Sequence, residues 1–209
     1  MPSSRRLSTR VVLSALAALT LAGVAYAPPA TAAAWTNVLK EGFESSFPPS
    51  DSKWSIRDYN GPSVGSAPNA NGAVIWDDNA TRGNGGSYWS AHPNDWTSYA
   101  NFTHTYMKYG PLDLTGAIDA KVKFAYWLDS ELNYDFFSYG YSCDGGRKWT
   151  ETSLSGSLKR WKNGKMALAS CVGSSTVYVR WGFVSDFDSP TNPAPTGVWV
   201  DDIKVQKLS

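Results

Sequence analysis

The sequence predicts an all-β fold built from two packed antiparallel sheets, and three observations predict it. The 209 residues include 10 Trp, 11 Tyr and 8 Phe together with 18 Gly and 12 Pro, a composition typical of short aromatic strands joined by turns. Several segments alternate apolar and polar residues with a period of two. No long segment repeats its apolar residues with the period of a helix.

Four segments carry the individual strand predictions. The segments at 120–128 (AKVKFAYWL) and 176–184 (TVYVRWGFV) alternate, so each has one face in a core. The segment at 136–151 reads as a strand, an Asp-Gly-Gly turn and a second strand, which predicts a hairpin. The segment at 197–205 (GVWVDDIKV) ends the chain as a strand close to the first one. The stretch at 157–173 is the least clear and is interpreted as a long connection with a turn of helix.

The amino-terminal residues predict a secretory signal peptide over 1–33. A basic start, an apolar run from Val11 to about Val24 and the Ala30-x-Ala32 pattern are its signature. That run is too short for a comfortable membrane span, and no later segment is long and apolar enough. We therefore expect one domain over 34–209, secreted and free of the membrane.

Charge argues against nucleic-acid binding. Of the 19 basic residues, three (Arg5, Arg6 and Arg10) leave with the signal, so 16 face 18 acidic ones, a formal −2. No run of Lys or Arg is interleaved with aromatic residues. We expect no basic surface and no nucleic-acid partner.

Two cysteines, Cys143 and Cys171, lie in the exported part of the chain. Thiols in exported proteins tend to oxidise, which predicts a Cys143–Cys171 disulfide. Two buried free thiols are the alternative, because the sequence does not reveal their geometry.

Four segments in order carry a resemblance to a known family: EGFESSFPPSDSKWSIRD (41–58), YGPLDLTG (109–116), SCDGGRKWTE (142–151) and SDFDSPTNPAPTGVWVDDIKV (185–205). They resemble the MAM-like jelly-roll domain that accompanies immune inhibitor A-type secreted bacterial metallopeptidases. That domain belongs to the wider galactose-binding-like jelly-roll group, which includes many carbohydrate-binding modules. The resemblance implies a jelly-roll β-sandwich, here without its protease. The stretch from Gly61 to Gly86 matches no pattern of the family.

The same resemblance implies a structural calcium ion. In such domains a Glu of the first strand and an Asp of the last strand hold the ion with loop carbonyls; the matching residues are Glu44 and Asp201. The neighbouring Asp202 completes the candidate metal set, and the Gly-rich segment from Asp77 to Gly86 is the expected carbonyl source. Alternation with Ile203 and Val205 predicts that Asp201 faces the core, where a carboxylate needs a partner, and that Asp202 faces solvent. Carboxylates solvated at strand ends are the alternative.

Catalytic signatures are weak. The two histidines, His92 and His104, do not form a His-Glu-x-x-His motif, and no credible Ser-His-Asp triad is present. The carboxylates near one rim could meet and act as a glycosidase pair; they are Asp129, Glu131, Asp135, Asp186 and Asp188. A second cation site or solvated loops are the alternatives.

Three function classes follow. The first is a secreted, non-catalytic, calcium-stabilised module that binds an extracellular glycan or protein. Exposed indole faces stack on sugar rings, and the candidates for that role are Trp76, Trp89, Trp96 and Trp161. The second is a secreted hydrolase that uses the rim carboxylates, and the third is a structural cell-surface protein. Coplanar, exposed tryptophans would favour the first class, whereas buried ones would remove its support.

Overall fold

The computed structural model describes residues 32–44, 53–59, 77–82, 85–89, 99, 103–187 and 195–209. The chain separates into two units, Met1–Ala32 and Ala33–Ser209, and all the described strands belong to the second. The predicted signal peptide lies almost wholly outside the described residues and stays a prediction. Within the described ranges, no helix is long and apolar enough to cross a membrane.

Two antiparallel sheets contain the described strands, which confirms the predicted fold class. One sheet has the order β3-β4-β11-β6-β9, with β1 also paired to β11; the other has the order β2-β5-β10-β7-β8. The bounds are β1 Trp35–Glu41, β2 Trp54–Asp58, β3 Asp77–Arg82, β4 Gly85–Trp89, β5 His104–Leu112, β6 Asp119–Asp129, β7 Phe136–Ser142, β8 Thr150–Leu154, β9 Lys162–Ala167, β10 Val177–Val184 and β11 Gly197–Leu208.

Alternation places every second residue of the central strands in one core between the sheets. On β10, Val179, Trp181 and Phe183 are fully buried, while Arg180 on the opposite face is half-buried. Trp181 packs edge-on against Phe124 of β6, with ring centroids 5.5 Å apart. Burying one such side chain contributes about 2–3 kcal/mol. Part of the tryptophan content therefore serves the core, as Trp54 and Trp181 show.

The first and last strands pair, as the sequence predicts. β11 shares one edge between two partners, because its amino half pairs with β4 and its carboxyl half with β1. Its other edge pairs with β6 and contains a bulge between Asp201 and Lys204. Asp202 adopts a left-handed backbone with φ 51°, and its N–H donates to Asp201 Oδ1 at 2.6 Å. Aspartate tolerates that conformation better than most residues.

Two sequence interpretations need correction. The stretch at 157–173 contains the strand β9 and a 3₁₀ turn, Ala169–Cys171, rather than only a connection. Its centre, Gly164, faces the core against Phe124, which weakens the strand signal. The segment expected as a Gly-rich loop, Asp77 to Gly86, belongs largely to β3 and β4.

The disulfide prediction is confirmed. Cys143 and Cys171 are bonded, with Cα atoms 4.9 Å apart. Cys143 directly follows β7, and Cys171 ends the 3₁₀ turn after β9. The bond therefore links the hairpin of one sheet to the connection that leaves the other.

Candidate functional site

Two rows of outward-facing residues cross the five-stranded sheet. Because antiparallel partners share a face, register defines the rows as Arg57–Tyr106–Gly182–Ser138–Ser153 and Ser55–Lys108–Arg180–Gly140–Glu151. Both rows combine cations and hydroxyl groups with a glycine; the first row also contains the aromatic ring of Tyr106, and the second contains the carboxylate of Glu151. Each glycine leaves room for the side chain of its neighbour.

Gly182 lets the ring of Tyr106 lie across the sheet. A Cβ atom at this position would stand 2.2 Å from Tyr106 Cε1, so no larger residue fits beneath the ring. Gly140 likewise leaves space for the side chain of Glu151, because a Cβ atom added at Gly140 would stand 2.5 Å from Glu151 Cγ. Burial is the main cause that raises the pKa of Tyr106, against the opposing effect of Arg180. The phenol is therefore a neutral hydroxyl group at neutral pH.

Arg180 is the most constrained cation on this face. Its guanidinium lies over the ring of Tyr106 at 4.4 Å and over the ring of Trp149 at 3.9 Å. Its Nε donates to Glu151 Oε1 at 2.7 Å. Rings and carboxylate together fix the plane of the guanidinium, so its remaining N–H groups point in a defined direction.

A second aromatic group stands beside this cluster. Tyr59 follows β2 and stacks on His104, with ring centroids 4.9 Å apart and planes at 27°. It also meets Tyr106 edge-on at 5.6 Å, and the Arg57 guanidinium lies over it at 4.5 Å. Tyr59 is 43% exposed, so part of its ring contacts solvent.

The turn between β7 and β8 holds Trp149 in place. Asp144 Oδ1 accepts hydrogen bonds from the N–H groups of Arg147 and Lys148, at 3.1 and 2.9 Å, and from the hydroxyl of Ser142. These bonds, led by that of Lys148, lower the pKa of Asp144. The indole N–H of Trp149 donates to Gly146 O at 3.0 Å. The predicted Asp-Gly-Gly turn thus forms one wall of the site.

Together these residues line a depression of about 450 Å³, called the groove below. Its lining consists of Ser55, Ile56, Arg57, Tyr59, Tyr106, Lys108, Gly145, Gly146, Trp149 and Arg180. This volume lies within the usual range of small-ligand pockets. The groove offers aromatic faces and hydrogen-bond donors, and the carboxylate of Glu151 lies beside it, bonded to Arg180.

Of the predicted tryptophan candidates, Trp161 is the one whose side chain is described, and it does not line the groove. Trp76 and Trp96 lie outside the described residues, and the side chain of Trp89 is likewise not described. Trp161 is half-buried and meets Trp127 edge-on, at 6.4 Å and 68°. Trp127 in turn meets Trp199 at 86°. These described rings are not coplanar; Trp127 and Trp199 belong to the six-stranded sheet, and Trp161 directly precedes its strand β9.

The candidate calcium ligands differ in position and exposure. Glu44 is exposed and lies after the end of β1, not within the first strand. Asp201 is buried at 4% exposure, and Asp202 is exposed. The sequence predicted that Asp201 faces the core, because it alternates with Ile203 and Val205. The bulge after Asp201 interrupts that alternation. Asp201 instead pairs with Ala125 and not with the core-facing residues of β6. Among the described residues, no group of three or more His, Cys, Asp or Glu side chains is placed to hold a metal ion.

The rim carboxylates meet only in part, and they hold loops together. Asp135 is 1% exposed and accepts hydrogen bonds from the Tyr99 hydroxyl and from the backbone N–H of Asp186, the latter at 2.9 Å. Burial raises the pKa of Asp135 despite these bonds. Asp129 accepts from Thr196 at 3.4 Å. Asp188 lies outside the described residues.

Sequence reasoning missed the residues of the groove. Arg180 was visible as an outward residue of an alternating strand, and His104, Tyr106 and Lys108 alternate in the same way with Thr105 and Met107. Their meeting depends on which strands are neighbours, and no local pattern encodes that. The alternation of β5 and β10 was the available signal.

The fold is similar to those of solved adhesin and carbohydrate-binding domains. The K1 cleaved adhesin domain of Lys-gingipain from Porphyromonas gingivalis W83 has a TM-score of 0.53 at 15% identity, covering 81% of this chain and 97% of that domain. The K3 cleaved adhesin domain of the same protein has a TM-score of 0.51 at 15% identity, covering 81% and 98%. TmCBM61, solved in complex with β-1,4-galactotriose, has a TM-score of 0.50 at 15% identity, covering 81% and 97%.

At these identities the likeness shows the fold alone. The general resemblance to galactose-binding-like sandwich domains therefore holds for the architecture. No protein-family model and no curated protein matches the chain. The more specific relation to the accessory domain of immune inhibitor A-type metallopeptidases stays a prediction.

Proposed function

We propose that this chain is a secreted, non-catalytic carbohydrate-binding module that holds a glycan in the groove of the five-stranded sheet. The observation that carries the proposal is the fixed guanidinium of Arg180 against the rings of Tyr106 and Trp149, with the ring of Tyr59 beside Tyr106. Sugar rings present an apolar C–H face and a rim of hydroxyl groups. Aromatic faces bind the first, and the charged groups bind the second.

The groove suits a short stretch of a glycan chain. Arg57, Lys108 and Arg180 supply donors and Glu151 supplies an acceptor, while the hydroxyl of Ser55 does both. The rows run across the strands, so successive groups lie about 4.8 Å apart. A glycan that lies across the strands therefore meets several of these groups in turn.

Secretion and the accessory role are part of the proposal. The disulfide is compatible with export, because such bonds persist in oxidising compartments. The resemblance to the MAM-like domain of immune inhibitor A-type proteins suggests that the module brings a secreted protein to its target. Neither point is needed for the groove to bind sugar.

A structural calcium ion also belongs to the proposal. Glu41, the last residue of β1, pairs with Ile203, so the segment from Gly42 to Glu44 leaves the sheet beside the bulge that contains Asp201. We propose that the carboxylates of Asp201 and Glu44 hold the ion, with backbone carbonyls completing the shell. Asp202 is the weaker of the three candidates, since it is exposed on the sheet surface.

A protein partner is the second candidate, and exposed apolar side chains favour it. Leu132, Tyr134 and Phe136 precede or begin β7 and are 62%, 59% and 38% exposed. Leu158 and Phe187, on other loops, are also exposed. Such side chains are common at protein interfaces.

A glycan array separates the two candidates. The mature chain, residues 34–209, is screened with and without calcium, beside Tyr106→Ala and Leu132→Ser variants. We expect binding to a defined set of glycans that Tyr106→Ala abolishes and Leu132→Ser leaves intact. A correctly folded chain that binds no glycan, or one whose binding survives Tyr106→Ala, would refute the groove as the sugar site.

A further inference from the structure

A row of lysines crosses the outer face of the six-stranded sheet. Register places Lys40 opposite Lys204, Lys204 opposite Lys123, and Lys123 opposite Lys165, on four adjacent strands. All four side chains are exposed. This row, the lysine ladder below, spans about 14 Å at the usual separation of strands.

The ladder corrects the expectation that the chain has no basic surface. The four lysines lie far apart in the sequence, so no basic run announces them. Strand pairing alone brings them together. The formal charge of the whole chain therefore says little about this face.

Such a row is unfavourable for the isolated fold. Like charges directly opposite one another on neighbouring strands are destabilising. Among the described residues, none of the four lysines forms an ion pair. The charges of the ladder also act on the neighbouring Lys121. Partial burial is the largest cause that lowers the pKa of Lys121, and the positive charges of Lys123 and Lys165 lower it further. The repulsion is relieved when an anionic ligand binds.

An amide and a carboxylate flank the ladder. Lys123, Lys165 and Lys204 line a shallow depression of about 440 Å³ together with Asn163, Asp202 and Ala125. An amide and a carboxylate are typical partners for hydroxyl groups. A carboxylate at this place also disfavours a ligand that consists of phosphate alone. The depression therefore suits a ligand that carries both anionic and hydroxyl groups.

We propose that the lysine ladder is a second binding site, for a linear acidic polysaccharide whose charged groups lie along the row. The single row matches a linear chain, and its spacing of about 5 Å is close to the length of one sugar residue. A membrane surface would favour a broader basic patch with inserted apolar groups. Sites for single-stranded nucleic acid interleave aromatic rings with the cations, and the ladder has none between its lysines.

The test measures binding of the mature chain to polygalacturonate and to heparin, by calorimetry at several salt concentrations. We expect binding to at least one of them, weakening steeply as salt rises. The Lys123→Gln/Lys204→Gln variant removes the centre of the ladder and should bind about tenfold more weakly. The control variant Lys148→Gln/Lys159→Gln removes the same amount of charge away from the ladder. Lys148 lies in the turn between β7 and β8, and Lys159 lies in the connection between β8 and β9. This variant should bind as the wild type does.

Folding and alternative ligands are controlled in the same experiment. The ladder variant should melt at the wild-type temperature or above it, because a repulsion is removed, so weaker binding is not caused by unfolding. The groove variant Tyr106→Ala should keep its affinity for the polyanion, which separates this proposal from the proposed function. Absence of binding to both polysaccharides overturns the ladder proposal. Equal loss in both lysine variants, or tighter ladder-dependent binding of duplex DNA or phosphatidylglycerol vesicles, does so as well.

Discussion

The outer faces of the two sheets place cations in opposite surroundings. On the five-stranded sheet, Arg180 lies between two rings and is bonded to Glu151. On the six-stranded sheet, Lys123 stands between Lys165 and Lys204, both of the same sign. On both faces, strand pairing aligns residues in a row across the strands. One row gives a groove whose cation is held in place by its partners, and the other gives a row of lysines that repel one another.

The difference predicts two kinds of recognition. A fixed guanidinium beside aromatic faces selects a ligand by shape and by the direction of hydrogen bonds, and salt affects it little. A row of mobile ammonium groups selects charge density and responds strongly to salt. Substitutions that act on one face and spare the other test this contrast.

The largest effect is expected from the disulfide. Cys143→Ser with Cys171→Ser opens a link between residues 28 apart, and the loop-closure model gives a loss of about 3–4 kcal/mol in the free energy of unfolding. Cys143 begins the turn that carries Trp149, so glycan binding at the groove should weaken while ladder binding is retained. Chemical denaturation and both binding assays, made where the variant is folded, check this. An unchanged unfolding free energy would contradict it.

Calcium should act on the six-stranded sheet. Ligand binding at 100 times the dissociation constant stabilises a fold by about 2.7 kcal/mol. Asp201→Asn should therefore lower the melting temperature in calcium and remove the difference between calcium and chelator, whereas Asp202→Asn should do less. Thermal melts of wild type and both variants measure this. A wild-type melting temperature that does not respond to chelation rules out a structural ion.

A pair of glycines separates stability from recognition. Gly182→Ala and Gly164→Ala each place a Cβ atom 2.2 Å from an aromatic ring, that of Tyr106 on the surface and that of Phe124 in the core. Both should lose about 1–3 kcal/mol of stability through overpacking. Only Gly182→Ala should also weaken glycan binding, because it displaces a ring of the groove. Equal glycan affinity in the two variants would show that the ring position does not matter.

Conservative exchange of the cations should have opposite outcomes on the two faces. Arg180→Lys loses the planar contact with both rings, an interaction of about 0.5–1 kcal/mol at exposed sites, so glycan affinity should fall severalfold. Lys123→Arg keeps the charge of the ladder and should leave polyanion binding unchanged. Titrations of both variants with both ligand classes check this. Loss of polyanion binding in Lys123→Arg would mean that shape, and not charge, governs the ladder.

The strands were predictable because alternation is local. β6, β10, β11 and the β7–β8 hairpin follow from it directly, and the turn at Asp144 follows from its Asp-Gly-Gly sequence. β9 was not predicted, since Gly164 interrupts its apolar face. The bulge at Asp202 was not predicted either, because a left-handed aspartate leaves no periodic signal.

The sites were less predictable for a different reason. Tyr106 lies on β5 and Arg180 on β10, and β10 starts 65 residues after the end of β5 in the sequence. The ladder is likewise assembled from four strands. Alternation says that a side chain faces outward, but only strand order says which outward side chains meet. The tryptophan candidates were therefore chosen without the strand order that brings the groove residues together, and their role stays a prediction.

The central claim is that the groove of the five-stranded sheet binds sugar, and an NMR titration tests it most directly. The mature chain, labelled with nitrogen-15, is titrated with the strongest glycan from the array. The account predicts that the largest shifts occur at the Trp149 indole N–H and at the backbone amides of Tyr106 and Arg180, while the amides of Lys123 and Lys204 stay in place. Shifts centred on Trp127, Trp161 and Trp199, with the groove unmoved, would contradict it.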